Sequence, residues 1–153
     1  LPIHVIDNIR TVERICSHAS MMKAKHGVKS IIIDNYTQIQ TSGGMRDLQQ
    51  RDEHVSSSLA DLATRLDINV TVICHVTQSH ESEGRRIDLR DVRGYGQVVD
   101  RARFVLALDQ LSADKENEPR RKILNCIKSN NGPQGHVYLR HEYERHRFIE
   151  WRN

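Results

Sequence analysis

Long apolar runs are missing from this chain. None approaches about 18 residues, and no charged-then-apolar leader opens the sequence, so neither a membrane protein nor a secreted one is expected. Cysteine is scarce: Cys16, Cys74 and Cys126 are odd in number, far apart and in no Cys-x-x-Cys arrangement. That argues against a disulfide scaffold and a zinc knuckle, and suits a reducing cytoplasm. An excess of one charge is absent too, because 23 Lys and Arg stand against 20 Asp and Glu for a formal net charge of +3. Such a balance gives no bulk field to attract a polyanion, so any basic site must be local. Internal repeats, heptads and low-complexity tracts do not occur. The chain begins at Leu1, without a methionine and directly in a strand-like run, which suggests a piece cut from a longer protein. Its 153 residues are enough for one domain with a real hydrophobic core.

The stretch Lys29-Ser-Ile-Ile-Ile-Asp34-Asn-Tyr-Thr-Gln-Ile39 organises the rest. Three β-branched residues in a row, Ile31, Ile32 and Ile33, suit a strand covered on both faces, as in the middle of a parallel sheet. Ligands of open α/β sheets collect outside the carboxyl ends of the strands, where Asp34 would stand. An apolar run ending in Asp is the Walker B pattern, whose carboxylate holds the Mg²⁺ that bridges nucleotide phosphates. The same pattern also ends many ordinary buried strands before a turn.

Upstream, Ile3-His-Val-Ile6 reads as a short strand, and Thr11 as a helix cap whose hydroxyl accepts a free backbone N–H. Val12, Ile15, Cys16, Ala19 and Met22 recur at helical spacing, and Gly27 ends the helix. Strand, helix and strand in about 30 residues make a βαβ unit. Downstream, Thr41-Ser42-Gly43-Gly44 is a loop, and Leu48, Val55, Leu59, Leu62 and Leu66 mark one face of a helix over residues 47–67. Asn69-Val-Thr-Val-Ile-Cys74 is a third strand, ending at His75 as the earlier one ends at Asp34.

From Val76 to Arg103 the chain is polar and rich in arginine, which predicts a long surface loop; one of that length is usually functional or disordered. Arg103-Phe-Val-Leu-Ala-Leu108 and Lys122-Ile-Leu-Asn-Cys-Ile-Lys128 then read as antiparallel strands across a charged tip. Asn130-Asn131-Gly132-Pro133 is a turn, and Gly135-His-Val-Tyr-Leu139 and Arg147-Phe-Ile-Glu-Trp151 close the chain as hairpin strands.

Four features thus stand in order: a strand ending in Asp34, a strand ending in His75, the loop motif Asp91-Val-Arg-Gly-Tyr-Gly96, and a strand running into Lys128-Ser-Asn-Asn-Gly-Pro-Gln-Gly135. In this order and spacing the chain resembles the RecA-like motor domain of DnaB-type replicative helicases and the related phage primase-helicases. The resemblance covers nearly the whole chain. It implies an α/β, RecA-like fold with a parallel sheet core, helices on its faces and a C-terminal antiparallel meander, as a single partial ATPase domain over residues 1–153. It also implies an ATP-dependent ring hexamer moving on single-stranded DNA in the cytoplasm of a bacterial or phage-infected cell, with primase and a helicase loader as further partners.

Residue by residue, the resemblance makes Asp34 the acid that holds Mg²⁺ through water, and His75 the side chain that senses the γ-phosphate of ATP. Lys128 becomes the finger reaching a neighbour's nucleotide. Arg93, Gly94 and Gly96 sit on the DNA-gripping motif, since phosphates need cations or N–H donors and close backbone approach needs glycine. Arg85 and Arg86 join them on charge alone. Only Tyr95 interleaves the arginines, so a backbone grip is expected rather than base stacking.

The chain also departs from the family. Asn130 stands where a nucleotide-contacting arginine is usual, and an amide cannot stabilise transition-state charge as a guanidinium does. Either Arg140 substitutes for it or hydrolysis is weak. No Gly-x-x-x-x-Gly-Lys-[Ser/Thr] cradle occurs, so these residues are not expected to bind ATP tightly or unwind DNA by themselves. An alternative is a non-catalytic RecA-like module that holds DNA or partners without turnover. A metal enzyme built on the nine histidines is weaker, because His141 and His146 fall in a hairpin without ligand spacing.

Overall fold

Helix α1, Val12–His26, begins at Thr11, whose extended backbone (φ −90°, ψ 142°) gives it the N-cap position. The expected capping bond does not form, and the Thr11 hydroxyl is buried without a partner among the described residues. Backbone pairing ties this end down instead: Gln40 N–H donates to the Arg10 carbonyl at 2.8 Å and Val12 N–H to the Gln40 carbonyl at 3.0 Å. At the other end Gly27 takes φ +64° and its N–H closes on the Lys23 carbonyl, a left-handed stop that costs glycine nothing sterically.

The computed structural model describes residues 2–43, 47–77, 85–93, 96–110 and 121–151, which fall into two compact units. The first comprises Leu1–His75 with Gly96–Arg101, the second Val76–Tyr95 with Ala102–Asn153.

In the first unit, β1 (Ser30–Asp34) and β2 (Asn69–Ile73) pair in parallel, from Ser30 opposite Asn69 to Asp34 opposite Ile73. Parallel neighbours need a crossover, and helix α2 (Leu48–Leu66) supplies it. Asp47 caps α2 by accepting the Gln49 N–H at 2.8 Å, and Asp67 ends it at φ +48°. The βαβ unit is therefore β1, α2, β2, one step later than the sequence reading. The expected Ile3-to-Ile6 strand does not form: Ile3 and Val5 are almost fully exposed, and no described strand offers them a ladder.

Val12 and Ala19 of α1 and Val55, Leu59 and Leu62 of α2 form the core with Tyr36 and Ile39, and Ile31, Ile33, Val70 and Val72 of the sheet pack against it. Each fully buried Val or Leu among them stabilises the unit by roughly 1.5–3 kcal/mol. Leu48 is the exception in the expected leucine face: it is the first residue of α2 and 72% exposed. The expectation of a strand covered on both faces is also corrected. Among the described residues, two strands and one helical layer meet here, so the far face is open and Ile32 is 70% exposed. The short helix α3, Gln97–Arg101, belongs to this unit and buries Val99.

The second unit is a four-stranded antiparallel meander in sequence order: β3 (Phe104–Gln110), β4 (Arg121–Ser129), β5 (Gly135–Glu142) and β6 (Arg147–Glu150). These strands fall where the sequence placed them, each extended by a few residues or trimmed by one; the charged tip from Ser112 to Arg121 lies, but for Arg121, outside the described residues. Ala107 and Ile123 are buried on one side of the meander, whereas Phe104, Leu106 and Leu108 alternate outward. Between β3 and β4 the register slips once: Leu106 opposes Cys126 but Val105 opposes Lys128, which leaves Ile127 as an extra residue in a bulge.

Candidate functional site

The carboxyl ends of β1 and β2 lie side by side, because parallel pairing sets Asp34 opposite Ile73. Asp34 is exposed, and the peptide bond from it to Asn35 is cis. From this rim a short polar chain runs across the strand ends. The Thr37 hydroxyl donates to the Asn35 side-chain oxygen at 2.6 Å, and the Asn35 amide nitrogen donates to His75 Nε2 at 2.9 Å. An acceptor at Nε2 places the ring proton on Nδ1, so the imidazole keeps one N–H to donate to a further group. Asp34 and His75, far apart in sequence, therefore share one edge of one sheet.

The segment behind that rim is held from α2. Arg51 sends its guanidinium to the carbonyls of Tyr36, Thr37 and Ile39, pairs with Asp52 at 2.6 Å, and lies 5.8 Å from the centroid of the Tyr36 ring. Tyr36, 1% exposed, returns a bond from its hydroxyl to the Asp52 carbonyl at 3.2 Å, and burial makes that hydroxyl a much weaker acid than an ordinary phenol. The sequence reading missed Arg51, since nothing marks a helix arginine as a carbonyl clamp except its place one turn inside an N-terminus. Cys74, beside His75, is pushed up by burial, as expected of a packed hydrophobe rather than a nucleophile.

A divalent cation would find at this rim one exposed carboxylate with neighbouring amide and hydroxyl groups. Among the described residues no group of three or more His, Cys, Asp or Glu forms a cage, so Asp34 fits an ion that keeps water and phosphate oxygens as its other ligands.

The second unit carries the remaining candidates. Lys128 sits at the end of β4 just past the bulge, on the side of Val105. Asn130 follows in the turn, its N–H on the Arg103 carbonyl at 3.0 Å, and Gln134 closes that turn on the Ile127 carbonyl at 3.2 Å. Arg140 faces Arg121 across β4 and β5 and lies 3.8 Å from Glu142.

The described residues of the basic loop hold local structure that its composition does not suggest. Val76 bridges Val92, and a 3₁₀ turn at Leu89–Asp91 is closed by a capping box between Asp88 and Asp91, a signal legible in the Asp-x-x-Asp spacing. Arg85 is half-buried and forks onto Asp91, Arg86 and Arg93 are exposed, and Gly94 lies outside the described residues. Gly96, in the first unit, takes φ +106° at the start of α3, a conformation that favours glycine. An open hollow of about 690 Å³ is lined by Arg86, Asp88, Arg90 and Gln134 along the β4 backbone.

The family model for the DnaB-like helicase C terminal domain matches residues 1–150. The chain belongs to this DnaB-like family. It is 29% identical over 137 residues to the replicative DNA helicase DnaB of Leifsonia xyli subsp. xyli (strain CTCB07), covering 86% of this chain and 30% of that protein. Identity is also 29% over 142 residues to the replicative DNA helicase DnaC of Bacillus subtilis (strain 168), covering 90% and 31% respectively. The chain thus spans about a third of the length of these curated relatives.

Among solved structures, one described as an ATPase domain superposes with a TM-score of 0.82 at 21% identity, over 94% of this chain and 52% of that one. A DnaB-like replicative helicase, described with its interactions with primase, gives the same score and identity over 92% and 35%. These neighbours show the fold, that of a helicase ATPase domain. Among the described residues no helix is long and apolar enough to cross a membrane.

Proposed function

We propose that this chain is the C-terminal portion of a single RecA-like motor domain in an ATP-dependent replicative DNA helicase. In that reading the parallel pair β1 and β2 is part of the motor's parallel core, and the protein works as a ring hexamer on single-stranded DNA, with primase and a loader as partners, in the cytoplasm. One family match across residues 1–150 supports reading both units as one domain, and the observation that carries the function is that β1 and β2 end side by side, with His75 bonded to Asn35 next to Asp34.

ATP with Mg²⁺ supplies the driving reaction. Asp34 holds the ion through water, because an exposed carboxylate at a strand end suits an outer-sphere contact. His75 keeps one N–H for the last phosphate, while its other nitrogen is tied through Asn35 to the turn after Asp34; such a bond has a partner only before hydrolysis. Lys128 supplies a cation to the nucleotide of an adjacent subunit, with Asn130 beside it. Arg93, with the backbone at Gly94 and Gly96, grips DNA phosphates, assisted by the exposed Arg86.

The expected outcome is that Asp34→Ala abolishes DNA-stimulated ATP hydrolysis in the natural protein and leaves its thermal melt unchanged. Full hydrolysis in Asp34→Ala would refute the motor reading. A second reading, a module that binds DNA without turnover, is favoured by Asn130 in place of the usual arginine. DNA binding with no hydrolysis above background in the unaltered protein would select it.

A further inference from the structure

Asp91 opens the Asp-x-Arg-Gly-x-Gly motif, yet at 1% exposure it cannot touch a nucleic acid. Its carboxylate is fully engaged inside the loop. Arg85 forks onto it, Nη1 to Oδ2 at 2.7 Å and Nη2 to Oδ1 at 2.8 Å, and the Asp88 N–H donates to Oδ2 at 2.8 Å. Its backbone is held as well: the Asp91 N–H bonds the Asp88 carbonyl at 3.2 Å, and the Asp91 carbonyl accepts the Thr77 N–H at 2.8 Å. Val92 follows, 8% exposed and bridged to Val76, and Arg93 is the first exposed residue after it.

From this geometry we infer that Arg85 and Asp91 are positioning residues for Arg93, a role that rests on the DNA reading above. Neither contacts DNA. A bidentate fork fixes orientation as well as distance, and a carboxylate shielded from water holds its partners more firmly than an exposed one. The chain therefore leaves the pair in one conformation, and Arg93 reaches a phosphate without first having to order the backbone behind it. Arg85, which charge alone would assign to the phosphates, acts instead through Asp91. Arg90 differs: it is exposed, and its ion pair is with Asp88.

The test measures binding of a fluorescent oligothymidylate to the natural protein as a function of salt. Removing an acid near a polyanion ordinarily tightens binding. A positioning role predicts the opposite sign: Asp91→Asn weakens binding by about tenfold, the equivalent of ordering one backbone residue. Arg93→Ala weakens binding and lowers the salt slope by about one. Arg85→Ala added to Arg93→Ala produces no further loss, because residues acting through one contact are not additive.

Weaker binding by Asp91→Asn together with that non-additivity supports the inference. Equal or tighter binding by Asp91→Asn, where Arg93→Ala does weaken it, overturns the positioning role and leaves the DNA reading standing. So does a double variant whose salt slope falls by about two, since Arg85 would then meet a phosphate itself. If Arg93→Ala changes nothing, the DNA reading falls and this inference with it. Should Asp91→Asn melt early, Arg85→Lys carries the same test: it keeps the charge and loses the fork, so weakened binding with a normal melt supports the role, and unchanged binding overturns it.

Discussion

The two units hold their candidate residues by different physics. In the first, the rim of β1 and β2 stands on an apolar layer, and the segment after Asp34 is fastened to that layer by the carbonyl clamp of Arg51. In the second, the loop leading to Arg93 is fastened by one shielded ion pair and a capping box, and of its described apolar residues Ile87 and Val92 are the buried ones. Hydrophobic support is spread over many contacts and degrades gradually. Support by a shielded charge pair is concentrated, so removing either partner leaves the other uncompensated. A motif can therefore sit on either kind of base, but only the first kind announces itself in a hydrophobic pattern.

Three substitutions sharpen this contrast. Leu62→Ala, at a site 1% exposed in the first unit's core, is expected to cost about 3 kcal/mol in urea unfolding, from lost transfer energy and a residual cavity. That cost should be nearly independent of salt; a strong salt dependence would break the distinction between the two supports.

Arg51→Ala comes next, at about 2 kcal/mol, because the carbonyls of Ile39, Thr37 and Tyr36 lose a charged donor. Hydrogen exchange at Gln38 and Ile39, whose N–H groups bond the Asn35 and Tyr36 carbonyls, should quicken. Unchanged exchange there would show that the clamp is incidental.

Smallest is Glu13→Gln. Burial raises the Glu13 carboxyl, but bonds from its own N–H, from His54 and from the Ser42 hydroxyl and N–H outweigh that and bring it from 4.5 to about 2. A carboxyl held below its unfolded value adds stability that is fully present above about pH 4.5 and is lost as pH falls towards 2. The variant should melt somewhat below the unaltered protein near pH 7, a modest gap because the pair is largely exposed, and the two melts should converge as pH falls towards 2, so its acid limb is flatter. An identical acid limb in both proteins would remove Glu13 as a contributor.

How much of this was legible in the sequence follows from the same contrast. The period-3.6 pattern of Val55, Leu59 and Leu62 gave α2 within a residue at each end, and Gly27 gave the end of α1. The apolar runs at 103–108 and 122–128, with only a charged tip between them, gave the first antiparallel pair, and the turn at Asn130 to Pro133 gave the hairpin strands that follow. What failed was burial at the margins. Ile3-His-Val-Ile6 has strand chemistry and no ladder partner among the described strands, and Ile31 to Ile33 have the chemistry of a doubly covered strand where one face is open. Pattern reports what a segment prefers, and only neighbours decide whether the preference is met.

At the site, Asp34 and His75 could be placed on one edge because both close runs of β-branched residues. The bond through Asn35 could not, since nothing in an Asn between Asp and Tyr marks it as a bridge. Arg85 was read by charge as a phosphate contact, and its engagement by Asp91 is invisible without the turn that folds the two together, although Asp88 and Asp91 at capping-box spacing hinted at that turn.

The surplus residue in β4 changes how its basic side chains are shared out. Lys122 and Lys128 are an even number apart, and strict alternation would put both ammonium groups on one surface of the hairpin. Because Ile127 is accommodated without an opposite number, Lys122 falls with Leu106 and Cys126, while Lys128 falls with Val105 and Ala107. The two lysines of this strand thereby stand on opposite surfaces, Lys128 on the one that Arg121 shares, and a register correction of one position would move Lys128 to the surface of Lys122.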